Sequence, residues 1–396
     1  MERRVLISRR GNLDVLALIE DGMLAEVYAR NRAGECAVGN IYLGCVQHYD
    51  PSLHALFVSI GEKTGGKPAG ILTMPKGMAT ADIPRQNAGI LVQVRRTGFG
   101  NRGARLTRDI VLPGRYAALT TLSRGARVSR KIEDAETRSR LLSLAKRDLP
   151  RDVGWILRTG SADAADDAIV NEARQSLDLW RRIDARSRAL KPPAPLFEQD
   201  GFGMMAARDL PDGLVECVVD DADLYEECVA AFRLFAAELC GRVRLYNENG
   251  LDAPLLESRG VRLDDVTRKA MRLPGGGGII IEPCETLTAI DVNSSKARGA
   301  ADKRGSVLAV NLEAAAEIAR QMRLRDLGGV IMIDFIDMDS EDDRQKVLDE
   351  LCLNARRDRS RVFVDGFTKR GLLELTRKSM RCPIHKALAG ADGGGA

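Results

Sequence analysis

The sequence has no long apolar run, little aromatic character and only three histidines. Its 396 residues contain no uninterrupted apolar stretch of about 18 residues, so we expect no membrane span. The opening residues, MERRVLISRRGNLD, lack the apolar core of a signal peptide, which makes the cytoplasm the expected location. Aromatic residues make up 4% of the chain. A large surface built from aromatic side chains is therefore not expected.

The cysteines also exclude one class of protein. Eight cysteines are scattered along the chain without a C-x-x-C pair, which is typical of small buried side chains and not of a disulfide framework. The net charge of +4 is a weak signal, but basic residues cluster in RRTGFGNRGARLTR (95–108) and SRGARVSRK (123–131). Clustered arginine and glycine suit a phosphate backbone. Solvated loops are the alternative interpretation of each cluster.

The order of sequence patterns indicates an α/β protein with two to four domains. Short β-like runs separated by glycine-rich turns, from about residue 36 to 120, predict a small barrel or sandwich. Helical patterns at 134–149 and 163–190 enclose the strand-like GWILRTGS. KPPAP at 191–195 marks a boundary, and strand and helix patterns then alternate to about residue 380.

The last third predicts a strand–helix–strand crossover. Strand-like runs cover 277–282 and 287–292, Asn311 is a candidate N-cap for a helix over 312–327, and the apolar run 330–333 follows. The two strands joined by the helix should lie parallel in one sheet. Because 330–333 is apolar at every position, we expect both faces of that strand to be covered. A carboxylate at Asp334 would then need a partner or a metal.

Three polar side chains follow these two strands. Parallel strands end at the same edge of a sheet, so Asp291, Asn293 and Asp334 should meet in one crevice. Asp337, three residues beyond Asp334, is predicted to support the site or cap a loop. Two carboxylates and an amide oxygen suit Mg²⁺, with Mn²⁺ as the alternative. The same spacing also fits carboxylates that cap loops or pair with arginines.

Several segments together resemble the ribonuclease E/G family of endoribonucleases over about residues 1–380. The segments are GNIYLGCVQHYDPSLHALFVSIG (39–61), GNRGARLT (100–107), VSRKIE (128–133), ILRTGS (156–161), LPGGGGIIIE (273–282), LTAIDVNSSKA (287–297), NLEAAAEIARQMRLRDLGGVIMIDFIDMD (311–339) and GLLELTRKS (371–379). The chain is most similar to the shorter, G-type members, which lack a long tail.

The resemblance implies a multidomain α/β fold. An RNase H-like domain would begin in residues 1–35 and resume at 191–269, with an OB-fold RNA-binding barrel inserted at 36–120. A 5′-sensor region would occupy 121–190 and a DNase I-like catalytic domain 270–380, followed by a C-terminal tail at 381–396.

The resemblance also implies the chemistry of the site. Asp291 and Asp334 would hold Mg²⁺, and Asn293 would orient the reacting phosphate. Water would then cleave single-stranded RNA to products with a 5′-monophosphate and a 3′-hydroxyl. Two rivals stay open: an RNA-binding paralogue that has lost cleavage, and a metal-dependent phosphoesterase that acts on DNA or small substrates.

The RNA-contacting residues implied by the resemblance fall in two groups. Phe57 matches an aromatic that stacks on bases, and Arg102 matches a basic residue near the RNA backbone. Ile71 departs from the pattern, because family members usually carry a second aromatic there. Arg158 and Thr159, with Gly114 nearby, match a pocket for a 5′-monophosphate, whose oxygens suit an arginine fork and a hydroxyl.

A second departure concerns zinc. Family members usually carry a C-P-x-C link between two subunits, whereas this chain has Cys382-Pro383-Ile384-His385. A Cys/His variant of a homodimer link is one interpretation. We favour a terminal segment without a metal role and expect no stoichiometric zinc, because one cysteine and one histidine supply half of a tetrahedral site.

Overall fold

The computed structural model describes residues 2–31, 38–61, 70–75, 83–96, 103–198, 201–246, 255–284, 286–294, 303–379, 384–385 and 387–388. These residues form a mixed α/β fold with four β-sheets. They belong to two compact units: residues 1–31, 215–221 and 245–396 form one, and residues 32–214 and 222–244 form the other. No helix in these ranges is both long enough and apolar enough to cross a bilayer.

The elements are as follows in chain order. The strands are β1 Arg3–Arg10, β2 Leu13–Glu20, β3 Met23–Asn31, β4 Ile41–Asp50, β5 Ala55–Ser59, β6 Gly70–Thr73, β7 Gly89–Arg96, β8 Ala104–Thr107, β9 Val111–Pro113, β10 Ala117–Thr120, β11 Gly125–Val128, β12 Gly154–Leu157, β13 Ala194–Phe197, β14 Leu214–Val219, β15 Val243–Leu245, β16 Ala270–Arg272, β17 Gly277–Pro283, β18 Leu287–Ser294, β19 Gly329–Asp334, β20 Val362–Phe367 and β21 Leu373–Arg377. The helices are α1 Ala135–Asp148, α2 Asp166–Ala189, α3 Phe202–Asp209, α4 Ala222–Phe235, α5 Leu255–Ser258, α6 Leu263–Thr267, α7 Lys303–Leu324 and α8 Glu341–Ala355.

Five strands close into a small barrel, which is one of the two architectures, barrel or sandwich, predicted from the short β-like runs. β4 pairs in turn with β5, β6, β8 and β7, and β7 returns to β4. The buried side chains inside it include Val46, Leu56, Val58 and Val92. Gly70 is needed for close packing, because a Cβ there would lie 2.5 Å from a methyl carbon of Leu106. The closure makes the barrel OB-like.

A four-stranded sheet with the order β11-β12-β10-β9 lies beside α1 and α2 in the same unit. α1 begins where Asp134 accepts a hydrogen bond from the Thr137 backbone N–H at 2.7 Å. The buried core between sheet and helices includes Leu119, Leu141 and Trp155. The two predicted helices and the strand between them are thus confirmed.

A six-stranded sheet with the order β16-β17-β18-β19-β21-β20 dominates the other unit. β18 and β19 run parallel and are joined by α7, as predicted, while the other neighbours are antiparallel. α7 and α8 cover only one face. Ile331 and Ile333 are buried against them, whereas Met332 is partly exposed and Asp334 is exposed. The prediction that both faces of β19 are covered is therefore wrong.

Candidate functional site

The centre of the candidate site is a pair of carboxylates on the open face of this sheet. In the parallel ladder between β18 and β19, Asp291 stands directly opposite Asp334, and adjacent strands are about 4.8 Å apart. Both side chains are exposed. Because both carboxylates are exposed, their desolvation costs little free energy. The sequence predicted that a buried Asp334 would need a compensating partner, but Asp334 is not buried in this fold.

Asn293 lies on the same face as Asp291, two residues further along β18. Its Nδ2 donates a hydrogen bond to Oδ2 of Asp291 at 2.6 Å. A half-turn of the amide would exchange its nitrogen for its oxygen at this point, so Asn293 can present a donor or an acceptor. The structure thus brings together all three residues predicted from the two strands. Asp337 is exposed in the loop beyond β19.

Asn311 holds the backbone that follows Asp334 in place. Asn311 was predicted as a helix N-cap, but α7 already begins at Lys303 and Asn311 is completely buried inside it. Its Nδ2 donates to the Ile336 carbonyl at 2.8 Å, and the Ile336 N–H donates to its Oδ1 at 3.1 Å. The N-cap prediction is therefore wrong. Asn311 instead fixes the backbone two residues beyond Asp334.

The donor set of this site fits a hard divalent cation. Asp291 and Asp334 offer carboxylate oxygens on neighbouring strands, and Mg²⁺ is typically bound by one or two carboxylates while water and substrate phosphate fill the other positions. Within the described ranges, no group of three or more His, Cys, Asp or Glu side chains is placed to share a metal ion. A pair of carboxylates suits a cation that keeps several non-protein ligands.

A second cluster lies around Arg158, at the end of β12. Its Nη1 donates to the Gly114 carbonyl, and its Nη2 donates to Oδ1 of Asp209 at 2.9 Å. Thr159 follows at the start of a short 3₁₀ helix, with its Oγ1 3.4 Å from Oγ of Ser129. The structure thus brings together Arg158, Thr159 and Gly114, as predicted.

Asp209 is a member of this cluster that the sequence did not reveal. It lies at the end of α3 with 11% of its side chain exposed, and it also pairs with Arg208 at 2.6 Å. Burial by itself would raise the pKa of Asp209, but the two guanidinium groups outweigh it and lower the pKa to about 2. Asp209 is therefore an anion that holds Arg158 in place. Its only sequence signal is the doublet Arg208-Asp209, which is not specific.

Gly114 is required by the packing beneath Arg158. The buried Glu172 carboxylate on α2 accepts the backbone N–H groups of Arg115, Tyr116 and Ala117 at 2.7, 2.8 and 2.9 Å. A Cβ on residue 114 would lie 2.3 Å from Oε1 of Glu172 and 2.6 Å from the Ala117 carbonyl oxygen. A residue with a side chain would therefore force the loop away from Glu172. Burial raises the pKa of Glu172 despite these three donors.

The barrel carries Phe57, the predicted RNA-contacting residue on β5, and Ile71, the departure from the family pattern on β6. Phe57 on β5 is half-buried and stands opposite Ile71 on β6, which in turn pairs with the exposed Arg105 on β8. On the other side of Phe57, His48 on β4 stacks against it, with ring centroids 4.4 Å apart and ring planes within 10°. Arg102 lies outside the described residues, as does Cys382.

Comparison with known proteins identifies the family. The model of the ribonuclease E/G family matches residues 111–380. The chain is 33% identical to ribonuclease E of Nostoc sp. over 391 residues, which is 96% of this chain and 56% of that protein. It is 32% identical to ribonuclease G of Haemophilus influenzae and 30% identical to ribonuclease G of Escherichia coli, each over 389 residues, 94% of this chain and 79% of the relative.

The chain spans only about half the length of the ribonuclease E proteins of Nostoc and Synechocystis. It covers a larger share of the ribonuclease G relatives, and the similarity there extends over nearly all of its own residues. With a family model that matches well over half of the chain and relatives above 30% identity, the protein belongs to the ribonuclease E/G family.

Proposed function

We propose that this protein is a Mg²⁺-dependent endoribonuclease that cleaves single-stranded RNA in the processing or turnover of ribosomal and messenger RNA. The observation that carries the proposal is the direct pairing of Asp291 with Asp334 on parallel strands. Its relatives are named ribonuclease E and ribonuclease G. The products would carry a 5′-monophosphate and a 3′-hydroxyl.

Asp291 and Asp334 would hold the cation, which when bound neutralises phosphate charge and supplies an activated water. Asn293 would donate an N–H to a non-bridging oxygen of the scissile phosphate and so orient the phosphorus for in-line attack. Asn311 would keep the backbone beyond Asp334 fixed, because it accepts from and donates to the Ile336 backbone. Because Asp291, Asn293 and Asp334 are exposed on the open face of the sheet, an extended single strand of RNA can reach them.

The finer architecture belongs to the same proposal. We assign the barrel to an OB-fold RNA-binding domain inserted at 36–120 in an RNase H-like domain that comprises 1–35 and 191–269. We assign 121–190 to a 5′-sensor region and 270–380 to a DNase I-like catalytic domain. The closed barrel and the six-stranded sheet with its carboxylate pair support these assignments.

Removing either carboxylate tests the cleavage chemistry. Asp291→Asn or Asp334→Asn should reduce cleavage of a single-stranded, A/U-rich RNA with Mg²⁺ by roughly a thousandfold, or about 4 kcal/mol of transition-state stabilisation. RNA binding should change little. Asp365→Asn is a matched control, since Asp365 is an exposed carboxylate on β20 of the same sheet. It should keep the parent rate.

The outcome separates the proposed function from its rivals. A parent protein that binds RNA but cuts nothing with Mg²⁺ would be an RNA-binding paralogue. A parent that prefers DNA or small phosphate esters would be a different phosphoesterase. A double Asp291→Asn, Asp334→Asn variant that still cuts RNA at a tenth of the parent rate would remove the assignment of these residues.

We further propose that Arg158 and Thr159, with Gly114, bind a 5′-monophosphate. Arginine has five N–H donors, and Arg158 uses two of its nitrogens on Gly114 and Asp209. It therefore keeps donors for a phosphate while its position is fixed. Monophosphorylated RNA should be cleaved at least about tenfold faster than RNA with a 5′-hydroxyl, from charge-assisted bonds of about 1.5–3 kcal/mol.

Arg158→Gln should bring monophosphorylated RNA down to the rate of hydroxyl RNA and leave hydroxyl RNA unchanged. The matched control is Arg181→Gln, since the Arg181 side chain is 61% exposed on α2. The comparison measures cleavage of one RNA sequence with either end. Equal cleavage of both substrates by the parent protein would show that Arg158 has no role at the RNA end.

A further inference from the structure

His48 occupies a position that strand alternation does not predict. In the antiparallel ladder of β4 and β5, Val46 pairs with Val58, and the next residues in regular register would be Gln47 and Phe57. The register instead shifts at this point, and His48 pairs with Phe57. A β-bulge of this kind places one extra residue in one strand and turns the following side chains to the other face. The bulge therefore puts a histidine ring beside Phe57.

The ring of His48 covers one face of the Phe57 ring. His48 stacks on one face at a centroid distance of 4.4 Å, and Ile71 lies opposite Phe57 on β6, one strand spacing of about 4.8 Å away. A base inserted between His48 and Phe57 would have to separate two rings that already stack in contact. The space between His48 and Phe57 is therefore too narrow for a base.

The outer face of His48 is open by contrast. The ladder between β4 and β7 ends at Cys45, and the last backbone hydrogen bonds on that side join Val46 to Asn87 and Ala88. Among the described residues, no strand continues beside β4 past this point on the side of β7. His48 itself is exposed, while Phe57 behind it is half-buried. The ring stack thus presents an imidazole face to solvent and a phenyl ring to the barrel.

We propose that a nucleobase of single-stranded RNA stacks on the outer face of His48, with Phe57 as the fixed second ring behind it. The site rests on the proposed function, since it assumes an RNA substrate. In this site the base contacts His48 and not Phe57. It also supplies a ring on β4 where Ile71 supplies none on β6. Stacking on an aromatic face accepts any base, so the site binds without sequence preference.

Four variants test the stacking site, each combined with Asp291→Asn so that RNA is not cut during the measurement. His48→Ala should weaken binding of a short single-stranded RNA about tenfold, because base stacking accounts for a contribution of this order. His48→Phe should stay within threefold of the parent affinity. His48→Lys should be as weak as His48→Ala, because lysine provides a positive charge but no ring. Gln47→Ala, the bulge neighbour, is the matched control.

Two readouts distinguish stacking from charge. A 2-aminopurine in the RNA should be quenched by the parent and by His48→Phe, and less by His48→Ala. The slope of log affinity against log salt concentration should be the same for the parent, His48→Phe and His48→Ala. Loss of a phosphate contact would instead reduce that slope by about one. Because His48 is exposed, a folding defect is not expected, and circular dichroism of each variant checks this.

Each outcome decides the proposal. If His48→Ala binds like the parent, or if His48→Phe is as weak as His48→Ala, the stacking site is wrong although RNA cleavage by the parent still stands. If Phe57→Leu abolishes quenching while His48→Ala does not, the base contacts Phe57 directly. If the parent neither binds nor cleaves RNA, the proposed function fails, and the stacking site fails with it.

Discussion

Asp209 allows a prediction whose size follows from the structure. The carboxylate is buried between Arg158 and Arg208, and its pKa falls from 3.8 to about 2. That difference corresponds to about 2 kcal/mol of stability. The folded pKa lies below the unfolded value, so this contribution is complete above about pH 4 and is lost as the pH falls toward 2. Asp209→Asn should therefore destabilise the protein by at least about 2 kcal/mol at pH 7.

The assay can follow the unit that contains Asp209. Both tryptophans, Trp155 and Trp180, lie in residues 32–214, so their fluorescence reports urea unfolding of that unit. The difference between parent and Asp209→Asn should shrink steadily below pH 4. Asp212→Asn is the control, because the Asp212 side chain is 80% exposed, and it should change stability by less than about 0.5 kcal/mol. A difference that is absent at pH 7, or that grows as the pH falls, would refute the argument.

Two further predictions concern buried polar groups. Glu172→Ala leaves three backbone N–H groups without their carboxylate and should destabilise the tryptophan-containing unit by about 3 kcal/mol, whereas Glu172→Gln, which keeps one acceptor oxygen, should lose less than half of that. Arg377→Met removes the buried guanidinium that pairs with both Asp326 and Asp358 and should cost about 3–5 kcal/mol. Calorimetry measures this loss, and an unchanged melting temperature would contradict it.

The part of the site that sequence predicted depends on short-range rules. The apolar runs around Ile290 and Ile333, joined by a helical pattern, indicated a parallel pair, and strand alternation placed Asp291 and Asn293 on one face. The structure has this pairing and this shared face. Whether one face or both faces of β19 are buried could not be predicted in the same way. Met332 is apolar on the open face of the sheet, and sequence does not distinguish it from a buried neighbour.

The residues that sequence missed or misassigned are set by contacts between distant segments. Asn311 reaches a backbone 25 residues away, and Asp209 lies 51 residues from Arg158. His48 depends on a one-residue bulge, and regular alternation would have placed Gln47 beside Phe57 instead. Local periodicity contains no information on any of these. Each becomes visible only when the register of the strands is known.

The distinction between contacting and positioning residues can be made within one cluster. Arg158→Gln removes the proposed phosphate donor together with its ion pair to Asp209. Asp209→Asn keeps the Arg158 guanidinium but removes the charge of one of its two partners, Gly114 and Asp209. Both variants should weaken the preference for a 5′-monophosphate. Thr159→Val removes a hydroxyl on the same cluster without touching the buried carboxylate. If the preference tracks stability across the three variants, the cluster is only structural. If Thr159→Val loses preference at full stability, the cluster binds the phosphate directly.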